Sequence, residues 1–265
     1  MNKPVVLTIA GSDPLCGAGI QADIKTIHAH QAYALSVITA INAQNTQGVQ
    51  GVNPLPSDWV AQQLDNLLSD VKIDAIKIGQ LASTEIIELV AERLRTVHYP
   101  IVLDPVLISS SGKRLLPQHA QPGLVQHLMP IASLITPNIP EVNALLKSNY
   151  QGLATEMPQI GEQFFALGMQ AVLVKGGHSA ENMAVDYLLL PNQTPLAFSA
   201  PRINDLNVKG TGCVLSSAIA CGLAEGKTLP DAVAAAKHYL YNQFNHLTQL
   251  INLKSNSNLS LISHR

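Results

Sequence analysis

Residues 4–41, PVVLTIAGSDPLCGAGIQADIKTIHAHQAYALSVITAI, read as one strand–helix–strand unit. The first run, 4–10, is almost continuously apolar and β-branched, as a strand buried on both faces must be. A glycine-broken loop follows, then an amphipathic stretch over 17–31 that reads as a helix, then a second apolar run at 34–41. Two such strands joined by a helix lie parallel in one sheet. The alternation continues down the chain, with strand-like runs IDAIKIG at 73–79, PIVLDPV at 100–106, SLITPN at 133–138 and AVLVKGG at 171–177. Helical stretches lie between them at 58–70, 83–95, 120–128, 139–147 and 156–168. This predicts an α/β fold, a three-layer α/β/α sandwich around a mostly parallel central sheet, with ligands at the carboxyl ends of the strands.

Beyond residue 183 the pattern changes. AVDYLLL and PLAFSAPRI flank the turn-like PNQT, which predicts a small antiparallel addition to the sheet. Two helices follow, one from Gly210 to about Glu225 and one from about Leu229 to His246, with Gly226 as the stop between them. Residues 1–251 are expected to form a single domain, and the polar tail 252–265 is expected to be poorly ordered.

Composition narrows the function. Hydrophobic residues make up 47% of the 265 and charged residues only 13%, enough apolar material for a large core. The formal net charge of −2 and the lack of any Lys/Arg run exclude the electrostatic footprint of a nucleic-acid binder. No uninterrupted apolar stretch could span a bilayer, and the N-terminal apolar run is too short for a signal sequence. Cys16, Cys213 and Cys221 have neither zinc nor disulfide spacing and suit a reducing cytoplasm. The expected partner is a small molecule.

Several segments place polar groups at strand ends. In Lys209–Gly210–Thr211–Gly212–Cys213 two glycines bracket a threonine at the start of a small-residue helix. Taken alone, such a segment is more often a tight loop with Thr211 as the helix cap, but backbone N–H groups can also converge there on an anion, aided by the helix dipole. Lys175 ends the strand-like run 171–174 and precedes Gly176–Gly177, which permits a ligand phosphate to approach. Asp104 ends the run 100–103, and Thr136–Pro137–Asn138–Ile139–Pro140–Glu141 forms a polar turn. Each could be a cap or a turn device, but together they offer the oxygen ligands that Mg²⁺ prefers. Gly11–Ser12–Asp13 opens the first loop, which is not GxGxxG and lacks the ribose-binding acid of a dinucleotide site. Gln44, after the second strand, carries an amide able to donate and accept at once, as an aminopyrimidine edge requires. GxSxG, HExxH and Walker A sequences are absent.

The ordered segments TIAGSDP, GAGIQAD, VITAINAQNTQGV, IKIGQL, VLDPV, ITPNIPE, VLVKGGH and NVKGTGC span residues 7–213, about four fifths of the chain. In that order they resemble bacterial hydroxymethylpyrimidine/phosphomethylpyrimidine kinases of thiamine biosynthesis, members of the ribokinase-like superfamily. The resemblance implies ATP and Mg²⁺ as cofactors, a pyrimidine alcohol and then its monophosphate as acceptors, and a chain that can form a homodimer. It also implies roles. Gly210, Thr211, Gly212 and Cys213 would form the anion hole, with Cys213 where many sugar kinases carry an aspartate base. A helix N-terminus would lower its thiol pKa. Lys175, Asn138 and Thr211 would meet the nucleotide, Asp104 and Glu141 the magnesium. Ala18, Gln44, Gln80 and Val106 would wall the pyrimidine pocket. Three positions depart from the family pattern: Lys209 for His, Gln80 for Met, and Leu15–Cys16 for a small Ser–Gly pair. Two other readings stand beside this one, a pyridoxal/pyridoxine kinase and a non-catalytic sensor of a pyrimidine or of pyridoxal phosphate.

Overall fold

The computed structural model describes residues 3–176, 183–202 and 210–253, with side chains in the last helix described through Gln243 and at Asn245. Nine strands form one sheet: β1 (Val5–Ser12), β2 (Tyr33–Asn45), β3 (Gly48–Pro54), β4 (Ala75–Ile78), β5 (Ile101–Leu103), β6 (Leu134–Ile135), β7 (Val172–Val174), β8 (Met183–Leu189) and β9 (Leu196–Pro201). Their order is β3-β2-β1-β4-β5-β6-β7-β8-β9. β2, β1 and β4 to β7 are parallel, whereas β3 pairs antiparallel with β2, β8 with β7, and β9 with β8.

The period-2 alternation of each strand sends side chains to two apolar layers. Leu7, Ile9, Ile76, Ile78, Leu103, Ile135, Val172 and Val174 face α2 (Ser57–Asp70), α3 (Thr84–Leu94), α5 (Ile139–Leu146) and α6 (Met157–Ala166). Val6, Ala75, Val102, Leu134 and Leu173 face α1 (Gly19–Ala29), α7 (Thr211–Ala224) and α8 (Leu229–Leu253). The result is the expected three-layer α/β/α sandwich. From Val214 to Gly222 every residue of α7 is buried, which explains its small, apolar composition: a helix enclosed on all sides can carry no polar face. Gly222 is needed where α7 crosses α8, since a Cβ there would come within 2.9 Å of the Ala232 Cβ.

Four details differ from the sequence reading. Strand β3 was not expected, because GVQGVNP has neither alternation nor β-branched density; its hydrogen bonds to β2 make it a strand. Accordingly β2 runs on to Asn45, so Gln44 lies inside a strand instead of after one. The expected helix over 120–128 is a chain of 3₁₀, α (α4, Gln121–Gly123) and π turns, interrupted by Pro122, Gly123 and Pro130. α8 continues past His246 to Leu253. The hairpin around PNQT and the stop at Gly226, with φ +81°, are as expected. Of the tail 252–265, residues 254–265 lie outside the described residues. Among those described, no helix is long and apolar enough to cross a membrane.

Candidate active site

The carboxyl ends of β5, β6 and β7 and the start of α7 bring the anion-binding candidates together. Asp104 directly follows β5 and is almost fully buried. Its Oδ1 accepts hydrogen bonds from Lys175 Nζ at 2.9 Å and from Thr136 Oγ1 at 3.2 Å. Lys175 is held at the end of β7 by its own N–H, which donates to the Pro137 carbonyl at 2.8 Å. Its ammonium lies 3.9 Å from Glu141 Oε2. Asn138 and Glu141 form a capping box at the start of α5: the Glu141 N–H donates to Asn138 Oδ1 and the Asn138 N–H to Glu141 Oε2, both at 2.8 Å. These two residues therefore build the local fold, Asn138 pairing with Lys175 through a backbone bridge and Glu141 facing its ammonium.

α7 begins against this pair. A Cβ on Gly212 would lie 3.1 Å from Asp104 Oδ2 and 3.3 Å from Lys175 Nζ, so the helix start sits close to both charges and a side chain there would have to displace them by a few tenths of an ångström. Gly210 takes φ +81°, and a Cβ there would overlap the Gly17 carbonyl. The first helical hydrogen bond runs from Val214 N to the Gly210 carbonyl at 3.0 Å. The N–H groups of Thr211, Gly212 and Cys213 precede it and are left for an anion.

Burial pushes the Glu141 carboxyl up to about 7; Lys175 opposes the shift and the Asp104 charge adds to it. Burial also opposes the charge of Lys175, but Asp104 and Glu141 outweigh it and hold the ammonium above the ordinary lysine range. Cys213 departs from expectation. Burial pushes its thiol up to about 11, although Lys77 and the Gly19 N–H pull the other way. Position at a helix N-terminus was expected to lower it; the loss of water at this half-buried sulfur is larger than that effect. Near neutral pH Cys213 is therefore a thiol and does not stand ready as a base.

The four pyrimidine-pocket candidates follow adjacent strands at the same sheet edge: Gln44 near the end of β2, Ala18 after β1, Gln80 after β4 and Val106 after β5. Ala18, Gln44 and Val106 are half-buried, Gln80 buried. Gln80 is already engaged. Asn42 Nδ2 donates to its Oε1 at 2.8 Å, and its Nε2 donates to Asn42 Oδ1 at 3.1 Å. Sequence reasoning missed Asn42, although it lies on the same strand as Gln44 at the spacing that shares a face. Gly11 packs on this amide pair, since a Cβ there would overlap the Gln80 carboxamide. The first loop is closed around Asp13, which accepts from the N–H groups of Leu15, Gly17 and Ala18 at 2.8, 3.1 and 2.8 Å. Cys16 adopts φ +57°, a left-handed conformation that favours the glycine it replaces. Above the strands, the loop after Val106 reaches across to β3, where Ser111 Oγ accepts from the Val49 N–H at 3.3 Å. A cavity of about 180 Å³ opens beside Asn138 and Glu141, lined also by Leu107, Ile108 and Arg114. None of the four pyrimidine candidates lines it. Lys209, Gly177 and His178 lie outside the described residues.

A group of three or more metal-binding side chains is absent among the described residues. Asp104 Oδ2 accepts no described hydrogen bond, and with Glu141 it offers two carboxylates. That suits Mg²⁺, which takes one or two carboxylates and fills its shell with water and substrate phosphates.

Comparison with known proteins places the chain among described families. The family model for phosphomethylpyrimidine kinase matches residues 13–257. The hydroxymethylpyrimidine/phosphomethylpyrimidine kinase of Salmonella typhimurium is 47% identical over 241 residues, 91% of this chain and 90% of that protein. Among solved structures, the phosphomethylpyrimidine kinase of Clostridium difficile is 40% identical with a TM-score of 0.79, over 91% of this chain and all of that one. The pyridoxal kinase of Staphylococcus aureus in complex with AMP-PCP and pyridoxal is 30% identical, with a TM-score of 0.83 over 92% of this chain and 88% of that one.

Proposed function

The chain belongs to the phosphomethylpyrimidine kinase family, and from that premise we propose a sequence of two transfers at one site. The γ-phosphoryl group of ATP goes first to the hydroxymethyl oxygen of 4-amino-5-hydroxymethyl-2-methylpyrimidine and then to the monophosphate so formed, supplying the pyrimidine diphosphate of thiamine biosynthesis. The observation that carries this reading is the seat of Gly212, in the first turn of α7, against the Asp104–Lys175 pair, which sets a helix N-terminus beside a half-buried ammonium. In each transfer an acceptor oxygen bonds to the γ-phosphorus while the bond to the β–γ bridging oxygen breaks and ADP departs; in the first transfer the hydroxyl proton passes to water, and in the second the phosphate oxygen is already ionised. Charge then spreads over the three equatorial oxygens, so fixed donors contribute more than covalent chemistry.

In this scheme Thr211, Gly212 and Cys213 present their N–H groups to the moving phosphoryl, Lys175 neutralises the nucleotide phosphates, and Asn138 keeps Glu141 oriented through the capping box. Asp104 and Glu141 would hold Mg²⁺, which when bound neutralises phosphate charge. Ala18, Gln44, Gln80 and Val106 shape the acceptor pocket, Gln80 as the floor that Asn42 fixes. The working unit is the single domain of residues 1–251.

Resemblance to the Staphylococcus aureus enzyme favours pyridoxal as a second acceptor alcohol. A binding-only sensor would have no need of a paired lysine packed against a glycine helix start. The test is ATP consumption with hydroxymethylpyrimidine, its monophosphate and pyridoxal side by side. Turnover on both pyrimidines is expected to exceed that on pyridoxal. Turnover on pyridoxal alone would replace the reading, and no turnover on any acceptor would leave the sensor.

A further inference from the structure

Inside the apolar layer between the sheet and helices α1 and α7 lies a charged cluster to which the transfer scheme assigns no task. Lys77 on β4 points into this layer because Ile76 and Ile78 point into the other. Its Nζ donates to both carboxylate oxygens of Asp23, at 2.9 and 2.8 Å. The same carboxylate accepts from Thr8 Oγ1 at 2.6 Å and from Ser217 Oγ at 2.9 Å. All four residues are fully buried.

A buried ion pair is a poor device for stability, since well-packed apolar residues of similar volume usually serve as well or better. Its placement suggests another use. Asp23 lies one turn into α1, on the face of Gly19; Ser217 lies one turn into α7, on the face of Cys213. The start of α7 packs on the residues just before α1, since a Cβ on Gly210 would overlap the Gly17 carbonyl and lie 3.1 Å from the Ala18 Cα, and the second turns of the two helices meet where Ser217 donates to Asp23. The ammonium extends to the carboxyl end of β4, where a Cβ on Gly79 would lie 2.8 Å from it. Gly212, next to Cys213, lies against the Asp104–Lys175 pair.

We propose that Lys77, locked by Asp23, is a positioning residue of phosphoryl transfer. Through Asp23 it clamps the second turns of α1 and α7 together, so fixing their starts at the sheet edge, and keeps a fixed positive charge beneath the anion-binding N–H groups. The proposal rests on the kinase reading above. Asp23 is the part that makes the arrangement tolerable, because two helix N-termini and an ammonium would otherwise repel one another.

The test is the double variant Lys77→Met with Asp23→Asn, which removes both charges at nearly constant volume and keeps an acceptor for Thr8 and Ser217. The expected result is cooperative melting, a KM for the pyrimidine within about twofold of wild type, and a kcat lower by roughly 10- to 100-fold for both acceptors, as a misplaced site produces. A wild-type kcat would overturn the proposal, and so would a rise in KM as large as the fall in kcat. Should the double variant not fold, Ser217→Ala decides, since it cuts one tie and leaves both charges: a several-fold lower kcat at unchanged KM supports the clamp, and an unchanged kcat sinks it. If the wild-type protein uses pyridoxal in place of the pyrimidine, the functional reading fails. The same kcat-against-KM comparison made with pyridoxal then still tests Lys77.

Discussion

The carboxyl edge of the sheet divides into two halves built from different chemistry. At the ends of β5, β6 and β7, under the start of α7, the polar groups are charged, and Asp104, Lys175 and Glu141 are joined within 3.9 Å. At the ends of β2, β1 and β4 the pocket candidates are amides, the Asn42–Gln80 pair and Gln44, and the Asp13 carboxylate is occupied by the backbone N–H groups of its own loop. The difference matches the tasks of the two substrates. A phosphoryl group in flight is recognised by fixed charge and by dipoles, whereas an uncharged aromatic ring is recognised by shape and by amide hydrogen bonds. Rate should therefore reside in the charged half and acceptor choice in the neutral half.

Substituting across the divide gives the sharpest contrast. Lys175→Ala is expected to lower kcat by about 10²–10³, the usual cost of one lost electrostatic contact in a transfer site, while KM for the pyrimidine stays close to wild type. Steady-state kinetics with a melting curve as the fold control checks it, and unchanged turnover would remove Lys175 from the site. On the neutral side, Gln44→Ala is expected to raise KM for hydroxymethylpyrimidine by an amount corresponding to roughly 1–3 kcal/mol and to leave KM for ATP nearly unchanged. Equal shifts for both substrates would mean that the halves are not separate.

The smallest expected effect is on stability. Glu141 has its carboxyl raised to about 7 by burial, so between the unfolded pKa near 4.5 and the folded value the native state binds the extra proton. Linkage then makes the ligand-free protein lose stability as pH rises through that window. Glu141→Gln keeps an acceptor for the Asn138 N–H and has no charge to bury. Its Tm should exceed wild type by a few degrees at pH 8 and approach it at pH 5; a gap that does not narrow on acidification would show that the carboxylate is not strained.

Most of the frame was legible in the sequence because strands buried on both faces leave no alternative to a covered parallel sheet. The runs at 4–10, 73–79 and 171–177 thus located β1, β4 and β7, and the Thr136–Glu141 segment located a helix start. The helix start at Gly210–Thr211 was legible because glycines bracketing a threonine precede a run of small apolar residues. What escaped depended on partners far along the chain. β3 is a strand only because β2 lies beside it, and Gln80 looked like a free ligand until Asn42, 38 residues away, occupied both ends of its amide. Lys77 did carry a signal: a lysine at the buried position of an apolar strand demands a counterion. Which acid answers it was not readable, because Asp23 lies 54 residues away and in another layer. The thiol of Cys213 was misjudged for a related reason. The helix start is visible in sequence, whereas the burial that outweighs it depends on tertiary packing.

The division of labour is tested most directly by Cys213→Ser. Single-turnover rates are measured on wild type and variant for the pyrimidine alcohol and for its monophosphate. A proton-accepting thiolate would matter for an alcohol and hardly at all for a phosphate oxygen already ionised near neutral pH. With the thiol raised to about 11 by burial, Cys213 in the scheme proposed above shapes an anion hole common to both transfers. The two steps should accordingly slow by the same factor, with ATP affinity little changed because the backbone N–H donors survive. A selective slowing of the alcohol step would contradict this, since it would make the charged half a reader of the acceptor as well as of the phosphoryl group.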